Sequence, residues 1–329
     1  MRRIFTALAL FVIPFLAAAQ DWPSRPVRIV VPSSPGGGTD VYARLLAQAL
    51  GESLKQQFIV DNRPGASGNI GAAAVAKAAP DGYTFLVSAN PALSVNPSLY
   101  RNLPYNAERE LAPVTRGVMA PMVLVVNPAV KAGSLSELIQ LSKSEKLAYG
   151  SAGTGSPTFL GVRMLEEQTG ARFTHVPYKG VGAGYSDLLG GQIQFMFPDV
   201  ASAISHIKAG KLRAIAVTQS TPLLPGVPTF AQAGFPLDVF TSFSVVAPAG
   251  TPEPVLGRLA AEISKAMRSG PIAEKLDAQA LVPVFDTPAE FAASLKKERD
   301  GWAAFIRRTR RRISRSTCCG ITSAIRGRT

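Results

Sequence analysis

The chain has 329 residues, 47% hydrophobic and 17% charged, with a formal net charge of +13. The charge is concentrated at the ends. Setting aside two arginines in the first three residues and eight between Arg307 and Arg328 leaves 25 basic residues against 22 acidic ones, about +3. No basic helix or aromatic-basic alternation in the body would track a nucleic acid, and both cysteines, Cys318 and Cys319, lie in the arginine-rich end, which excludes a disulfide framework or a cysteine-ligated metal in the body.

Residues 1–20, MRRIFTALALFVIPFLAAAQ, combine Arg2 and Arg3, an apolar run from Ile4 to Leu16 and the small residues Ala17 to Ala19. This is the pattern of a secretory signal peptide cut near Ala19 or Gln20. The run falls short of the roughly 20 apolar residues that span a bilayer, and Pro14 interrupts it. The mature chain is therefore expected to be soluble and exported by a Sec-type route.

The body then alternates strand and helix signals, which predicts an α/β fold. VRIVV (27–31) reads as a strand ending at Pro32. The triplet Gly36-Gly37-Gly38 follows, with Thr39 or Asp40 at an N-cap position and Tyr42, Leu45, Leu46, Ala49 and Leu50 forming one helical face. A second strand near 57–63 leads through Gly65-Ala66-Ser67-Gly68 into an alanine-rich helix from Asn69 to Ala79. A third, 83–90, delivers Ser88 and Asn90 to its carboxyl end, the edge where open α/β sheets hold ligands.

The stretch from Asn96 to Arg116 is polar and proline-containing and reads as a connector. MVLVVNP (122–128) starts a new run of elements, so the first crossing between two lobes is placed there. Ser134 with Glu137 forms a capping box. Strand LAYGS feeds a third Gly/Ser loop and a helix capped by Ser156, with Pro157 at its first turn and Gly170 at its end. HVPYKG (175–180) leads a further loop into a helix over 184–189. Strands at 193–199, with Asp199 at its exit, and at 211–218 flank a helix that ends at Gly210. A strand at 243–255 returns the chain to the first lobe, and a helix from Pro288 to Ile306 closes the fold with Phe291, Leu295, Trp302 and Phe305 inward. Arg307 to Thr329 has no sustained apolar period and is expected to be disordered or loosely docked. The implied organisation is signal peptide 1–20, a discontinuous first lobe (21–122 and 240–306), a second lobe (123–239) and a divergent tail (307–329).

His175 and His206 are the only histidines and have no partner at metal-ligand spacing. The glycine loops lack a Gly-Lys-Ser/Thr ending, a strict G-x-G-x-x-G and a nucleophile elbow. What exceeds background is repetition: loops near 33–40, 64–69 and 151–158 each bring glycine and hydroxyl residues to a helix start. Glycines let backbone N–H groups approach an anion closely, and helix N-termini favour negative charge. A cleft between lobes would then hold a carboxylate from both walls.

Blocks running in order from about Trp22 to Ile306, among them VRIVVPSSPGGGTDVYARLLA, VDNRPGASGNIGAAAVAKAAPDGYTFL, YGSAGTGSPTFLG, HVPYKG, DLLGGQIQFMFPD, AGKLRAIAVT and PGVPTFAQAGFP, resemble the Bug (Bordetella uptake gene) family. These are the extracytoplasmic solute-binding receptors of tripartite tricarboxylate transporters. The resemblance implies a periplasmic binding protein type II-like fold, two α/β lobes with an intervening cleft, and a receptor that closes on a small carboxylate. Its partners would be that solute (a dicarboxylate, tricarboxylate, amino acid or aromatic acid) and membrane transporter subunits, with no nucleic acid, no cofactor, no metal and a monomeric state. Carried over to this chain, it points to Ser33, Gly37, Gly38, Thr39 and Asp40, then Ala66, Ser67 and Gly68, then Ser151, Gly153 and Thr154, with Asn90 and Asp199 lining the cleft. Thr39 and Asp40 could instead serve only as helix caps. Two departures bear on the pocket: Ser33 stands where the family usually has an aromatic, and Phe159 where it often has histidine. The competing readings are a periplasmic sensor feeding a signalling receptor, with the same site, and an α/β enzyme acting on carboxylates, for which no nucleophile and base pair is visible.

Overall fold

A computed structural model describes residues 22–315 apart from 101 and 238, with backbone alone for 305 and 308–315. The expected signal peptide and both cysteines fall outside the described residues. Two sheets organise the rest. The chain runs through β1 (Val27–Val31), α1 (Gly38–Leu54), β2 (Phe58–Asn62), α2 (Asn69–Ala76), β3 (Thr84–Ala89), α3 (Asn96–Leu99) and β4 (Leu111–Ala120). It then enters a second lobe with β5 (Val123–Val126), α4 (Leu135–Leu141), β6 (Ala148–Ser151), α5 (Pro157–Thr169), β7 (Thr174–Pro177), α6 (Val181–Leu189), β8 (Phe195–Met196), α7 (Val200–Lys208) and β9 (Arg213–Val217). It returns as β10 (Thr241–Pro248), α8 (Glu253–Met267), α9 (Gly270–Asp277), β11 (Val282–Pro283) and α10 (Pro288–Arg315).

The first sheet has the order β11-β4-β10-β3-β1-β2, and the second β7-β6-β8-β5-β9. β1 pairs in parallel with β2 and β3, and β6 in parallel with β7 and β8, whereas the returning β10 is antiparallel to β3 and β4. Parallel strands need helical crossovers, which cover both faces, so their residues are buried on either side. In β1, Ile29 and Val31 enter one core with Tyr42, Leu46 and Leu50 of α1, while Val30 enters the opposite core with Ala72, Val75, Phe291 and Leu295. Full burial of Tyr42, Leu46 and Leu50, each at most 1% exposed, is worth roughly 1.5–3 kcal/mol for a large apolar side chain, and fixes α1 on the sheet. The second lobe repeats the arrangement with one core on each sheet face.

Three segments depart from the sequence expectation. The connector predicted between Asn96 and Arg116 contains most of β4, a ten-residue strand. Pro113, Arg116 and Gly117 hide it, because the pairing with β10 slips between Val245 and Val246 and again between Phe243 and Ser244 and so tolerates residues that interrupt a regular ladder. Gly117 is required there, since a Cβ would lie 1.8 Å from the Tyr42 hydroxyl. HVPYKG, expected to lead a loop, begins inside β7. The closing helix continues past Ile306 to Arg315, so the backbone of the first part of the expected tail is helical.

Asn90 stands at the exit of β3, but its side chain faces the first lobe's interior. Its Oδ1 accepts hydrogen bonds from the Ser242 N–H and hydroxyl, and its Nδ2 donates to Glu298 of α10. Glu298 in turn accepts a 2.6 Å bond from Arg116 of β4, whose guanidinium also reaches Ser294. The Arg116 and Glu298 side chains are only 12% and 15% exposed. Removing one partner of such a pair strands the other charge in a poorly solvated place. Glu298→Ala is expected to lower unfolding stability by about 2–4 kcal/mol in denaturant titrations; a change under about 0.5 kcal/mol would mean that this network does not hold α10 to the sheet.

Candidate ligand-binding site

The carboxyl ends of β1, β2 and β3 face those of β6, β7 and β8 across a cleft, and a cavity of about 80 Å³ lies between them. Five helices begin on its wall: α1 with Gly38 and Thr39, α2 behind its cap Gly68, α5 with Pro157 and Thr158, α6 with Val181, and α7 behind its cap Asp199. The first turn of each helix has N–H groups with no intrahelical acceptor, and the dipole adds partial positive charge there. The remaining wall is largely apolar, with Pro32, Ala89, Ala92, Met122 and Phe243.

Of the sequence candidates, Ser33, Gly37, Gly38, Thr39, Ser67, Gly68 and Asp199 line the cavity, whereas Asp40, Ala66, Asn90, Ser151, Gly153, Thr154 and Phe159 do not. Each of the second group except Ala66 has a partner that occupies it. Asp40 is no N-cap: the cap is Gly37, and Asp40 lies inside the first turn, where its carboxylate accepts from Gly36 N–H, Arg44 and Asn62. Burial pushes its carboxyl up, but those hydrogen bonds outweigh it and hold it below the usual range. Thr39 is likewise inside the helix rather than its cap. Ala66 contributes backbone: it and Ser67 both adopt left-handed φ, 48° and 54°, within the tight turn from Gly65 to Gly68. Ser151 is fully buried and its hydroxyl lies 2.6 Å from His175 Nε2 while accepting Gly153 N–H. Phe159 packs on the His175 ring, 4.7 Å between centroids.

Ser88, placed by the sequence at the ligand-holding edge of its strand, lines the cavity, whereas the sequence reading did not single out Ala152, Ser156 as wall rather than cap, Lys179, Gly180, Val181 or Thr241. Thr241 follows the second crossing and reaches the cavity only because β10 inserts beside β3. The HVPYKG loop carried a usable signal, since Lys179-Gly180 precedes a helix start as the other three glycine loops do.

The lobes touch around the cavity on both rims. Ser34 N–H donates to Lys179 O at 3.2 Å, and Ala183 N–H donates to the Ser34 hydroxyl at 3.1 Å. On the other rim the Ser67 hydroxyl donates to Thr154 O at 2.9 Å. Between the rims, the Gly38 N–H donates to the Asp199 carboxylate. A Cβ on Gly38 would lie 2.2 Å from Asp199 Oδ1, and one on Gly182 would lie 2.1 Å from Pro35 O. Glycine at these two positions therefore serves lobe contact. Burial raises the Asp199 carboxyl above its ordinary value, only partly offset by hydrogen bonds from Ser202 and Gly38.

His175 has no carboxylate partner among the described residues, so its pairing with Ser151 is not a triad. No cluster of three metal-binding side chains occurs among the described residues, and no helix there is long and apolar enough to cross a membrane.

Residues 42–310 match the model of the tripartite tricarboxylate transporter family receptor. The chain is 37% identical over 319 residues to Protein BugT of Bordetella pertussis, covering 94% of this chain and 98% of that one. Among solved structures, it is similar to Rpa4515 of R. palustris with adipate (33% identity, 86% and 96% of the two chains, TM-score 0.82). It is also similar to MatC (Rpa3494) from Rhodopseudomonas palustris with bound malate (29% identity, 86% and 99%, TM-score 0.79).

Two measurements check this geometry. Gly182→Ala drives a methyl into the Pro35 carbonyl and should hold the lobes apart, whereas a methyl at Gly37 meets nothing closer than 3.7 Å and should leave them closed. Small-angle scattering is expected to give a larger radius of gyration for the first variant only; equal radii would contradict the rim contact. Separately, burial, with a smaller contribution from Arg163, lowers the His175 imidazole from 6.5 to about 4. The unfolded chain then binds a proton that the folded one excludes, so stability falls as pH drops from about 6.5 towards about 4. The stability difference between the protein and His175→Gln should shrink across that window in denaturant titrations, and a constant difference would contradict the assignment.

Proposed function

The chain belongs to the tripartite tricarboxylate transporter receptor family, and from that premise we propose that it is an exported, periplasmic solute-binding receptor that captures a small carboxylate-bearing anion between its lobes and passes it to a membrane transporter. The observation that carries the proposal is the convergence of five helix N-termini from two lobes on one cavity between them. Backbone donors so arranged bind a carboxylate without a basic side chain and need no reorganisation when the ligand arrives. The adipate and malate held by the two Rhodopseudomonas relatives are carboxylates, which supports the same ligand chemistry here.

Binding and closure follow from the rim contacts. An open form exposes the helix starts to solvent, and an anion placed on them from the first lobe supplies negative charge to the N-termini of α5 and α6 when the lobes meet. The solute thus binds the closed form better than the open one, and this differential affinity is what drives the equilibrium. Chemistry on the solute is not part of the proposal: the Ser151 hydroxyl is fully buried and off the cavity wall, and the Ser151–His175 pair has no acid beside it among the described residues.

A thermal-shift panel of monocarboxylates, dicarboxylates, tricarboxylates, amino acids and aromatic acids tests the reading. A ligand at one hundred times its dissociation constant adds about 2.7 kcal/mol and is expected to raise the midpoint by several degrees. No shift with any acid, together with hydrolysis of an ester of any of them, would replace the receptor by an enzyme.

A further inference from the structure

The closing helix ends in a charged run that the solute site does not use. Six of the nine residues from Arg307 to Arg315 are arginine, none is acidic, and their backbone continues α10. At about 100° per residue, Arg307, Arg308, Arg311, Arg312 and Arg315 fall within an arc of roughly 140°, while Ile306, Thr309 and Ile313 share the opposite stripe. Ile306 is buried and Arg307 is exposed, so the arginine row takes the face opposite the buried one.

A helix C-terminus favours one or two cations through its dipole. Six exceed that need. Arg307 with Arg311, Arg308 with Arg312, and Arg311 with Arg315 are like charges at i,i+4, and each such pair weakens a helix left to itself. The nearest acids of α10 are already engaged: Glu298 pairs with Arg116, and Asp300 with Lys296, Arg307 being only a minor influence on it. Arg326 and Arg328 follow, again without an acid, whereas the body of the chain is close to neutral. A field of one sign is thus confined to this end of the molecule.

Such a row calls for a partner whose negative charges repeat along a surface. Guanidinium groups meet phosphate oxygens through paired N–H bonds, and a bilayer with anionic headgroups offers phosphates all along the row's length of about 12 Å. Ile313 is the one large apolar residue between Arg307 and Arg315, so the helix has little to insert among acyl chains and attachment rests on charge. Resting on the receptor reading above, which sets the chain beside a transporter embedded in a membrane, we propose that the arginine row of α10 docks the receptor on the headgroups of an anionic phospholipid bilayer. Among the described residues α10 contributes nothing to the cavity wall, so attachment and solute capture use separate parts of the chain.

Cosedimentation of the purified protein with phosphatidylcholine vesicles, with and without about 30% phosphatidylglycerol, tests the proposal. One basic residue at an anionic surface strengthens binding roughly fivefold, so the phosphatidylglycerol vesicles are expected to bind at least about thirtyfold more tightly at low salt. That preference should fall at least about tenfold on going from about 0.05 M to about 0.5 M salt, as screening shortens the reach of each charge. The combined variant Arg307→Gln, Arg308→Gln, Arg310→Gln, Arg311→Gln, Arg312→Gln and Arg315→Gln keeps helix propensity and should lose most of the preference while its thermal response to organic acids stays unchanged. Equal binding to both vesicles, binding indifferent to salt, or a preference undiminished in the variant would overturn the proposal and leave the receptor reading intact. So would tight binding of a DNA duplex of about 20 base pairs at a salt concentration where the vesicles do not bind. No thermal shift with any acid would remove the receptor reading and this inference with it.

Discussion

Two lobes can enclose a small cavity only if their backbones meet at its edges, and here they meet where side chains are missing. The Gly182 Cα comes so close to the Pro35 carbonyl that even a methyl group is excluded, and Gly38 leaves room for the Asp199 carboxylate from the opposite lobe. The hydrogen bonds of the rims, through Ser34 on one side and Ser67 on the other, form at 2.9–3.2 Å because nothing holds those strands of loop apart. Each is a single ordinary hydrogen bond worth about 0.5–1.5 kcal/mol net. Contacts of that size can be made and broken reversibly, which suits a receptor that must release its solute.

The closed geometry also sets the electrostatics. Helix starts that are solvated in separate lobes come together in a space with apolar walls, where an anion finds donors and partial charges already oriented. Asp199 lies beside those helix starts. It caps α7 within its own lobe through Ser202 and accepts Gly38 N–H from the other, so one side chain joins helix capping, lobe contact and the character of the cavity.

The first lobe owes its rigidity to a different device. Arg116, Glu298 and Asn90 tie β4, α10, β3 and the start of β10 into one polar network next to the returning crossing. Such a network fixes where Thr241 and Phe243 present themselves to the cavity, because Ser242 between them is held by Asn90 through both its N–H and its hydroxyl. Each sheet is packed on both faces.

Local signals in the sequence accounted for most elements. β-branched runs, caps such as Ser134 and Ser156, and terminal glycines such as Gly170 act over a few residues, and they mark β1, α4 and α5 correctly. The α/β class and the three glycine loops were legible on the same ground. β4 was not, because its stability comes from a bulged pairing with a strand more than a hundred residues away, which no local pattern records. The site divided along the same line. Sequence alone determined that several helix starts would carry glycine and hydroxyl groups, since that is a property of each loop by itself. Only the tertiary structure decided which of those groups face the cavity: it turned Asn90 and Ser151 towards buried partners, spent Gly153 and Thr154 on the rim, and brought Thr241 and Val181 to the wall, because orientation depends on what the opposite lobe presents when the two meet.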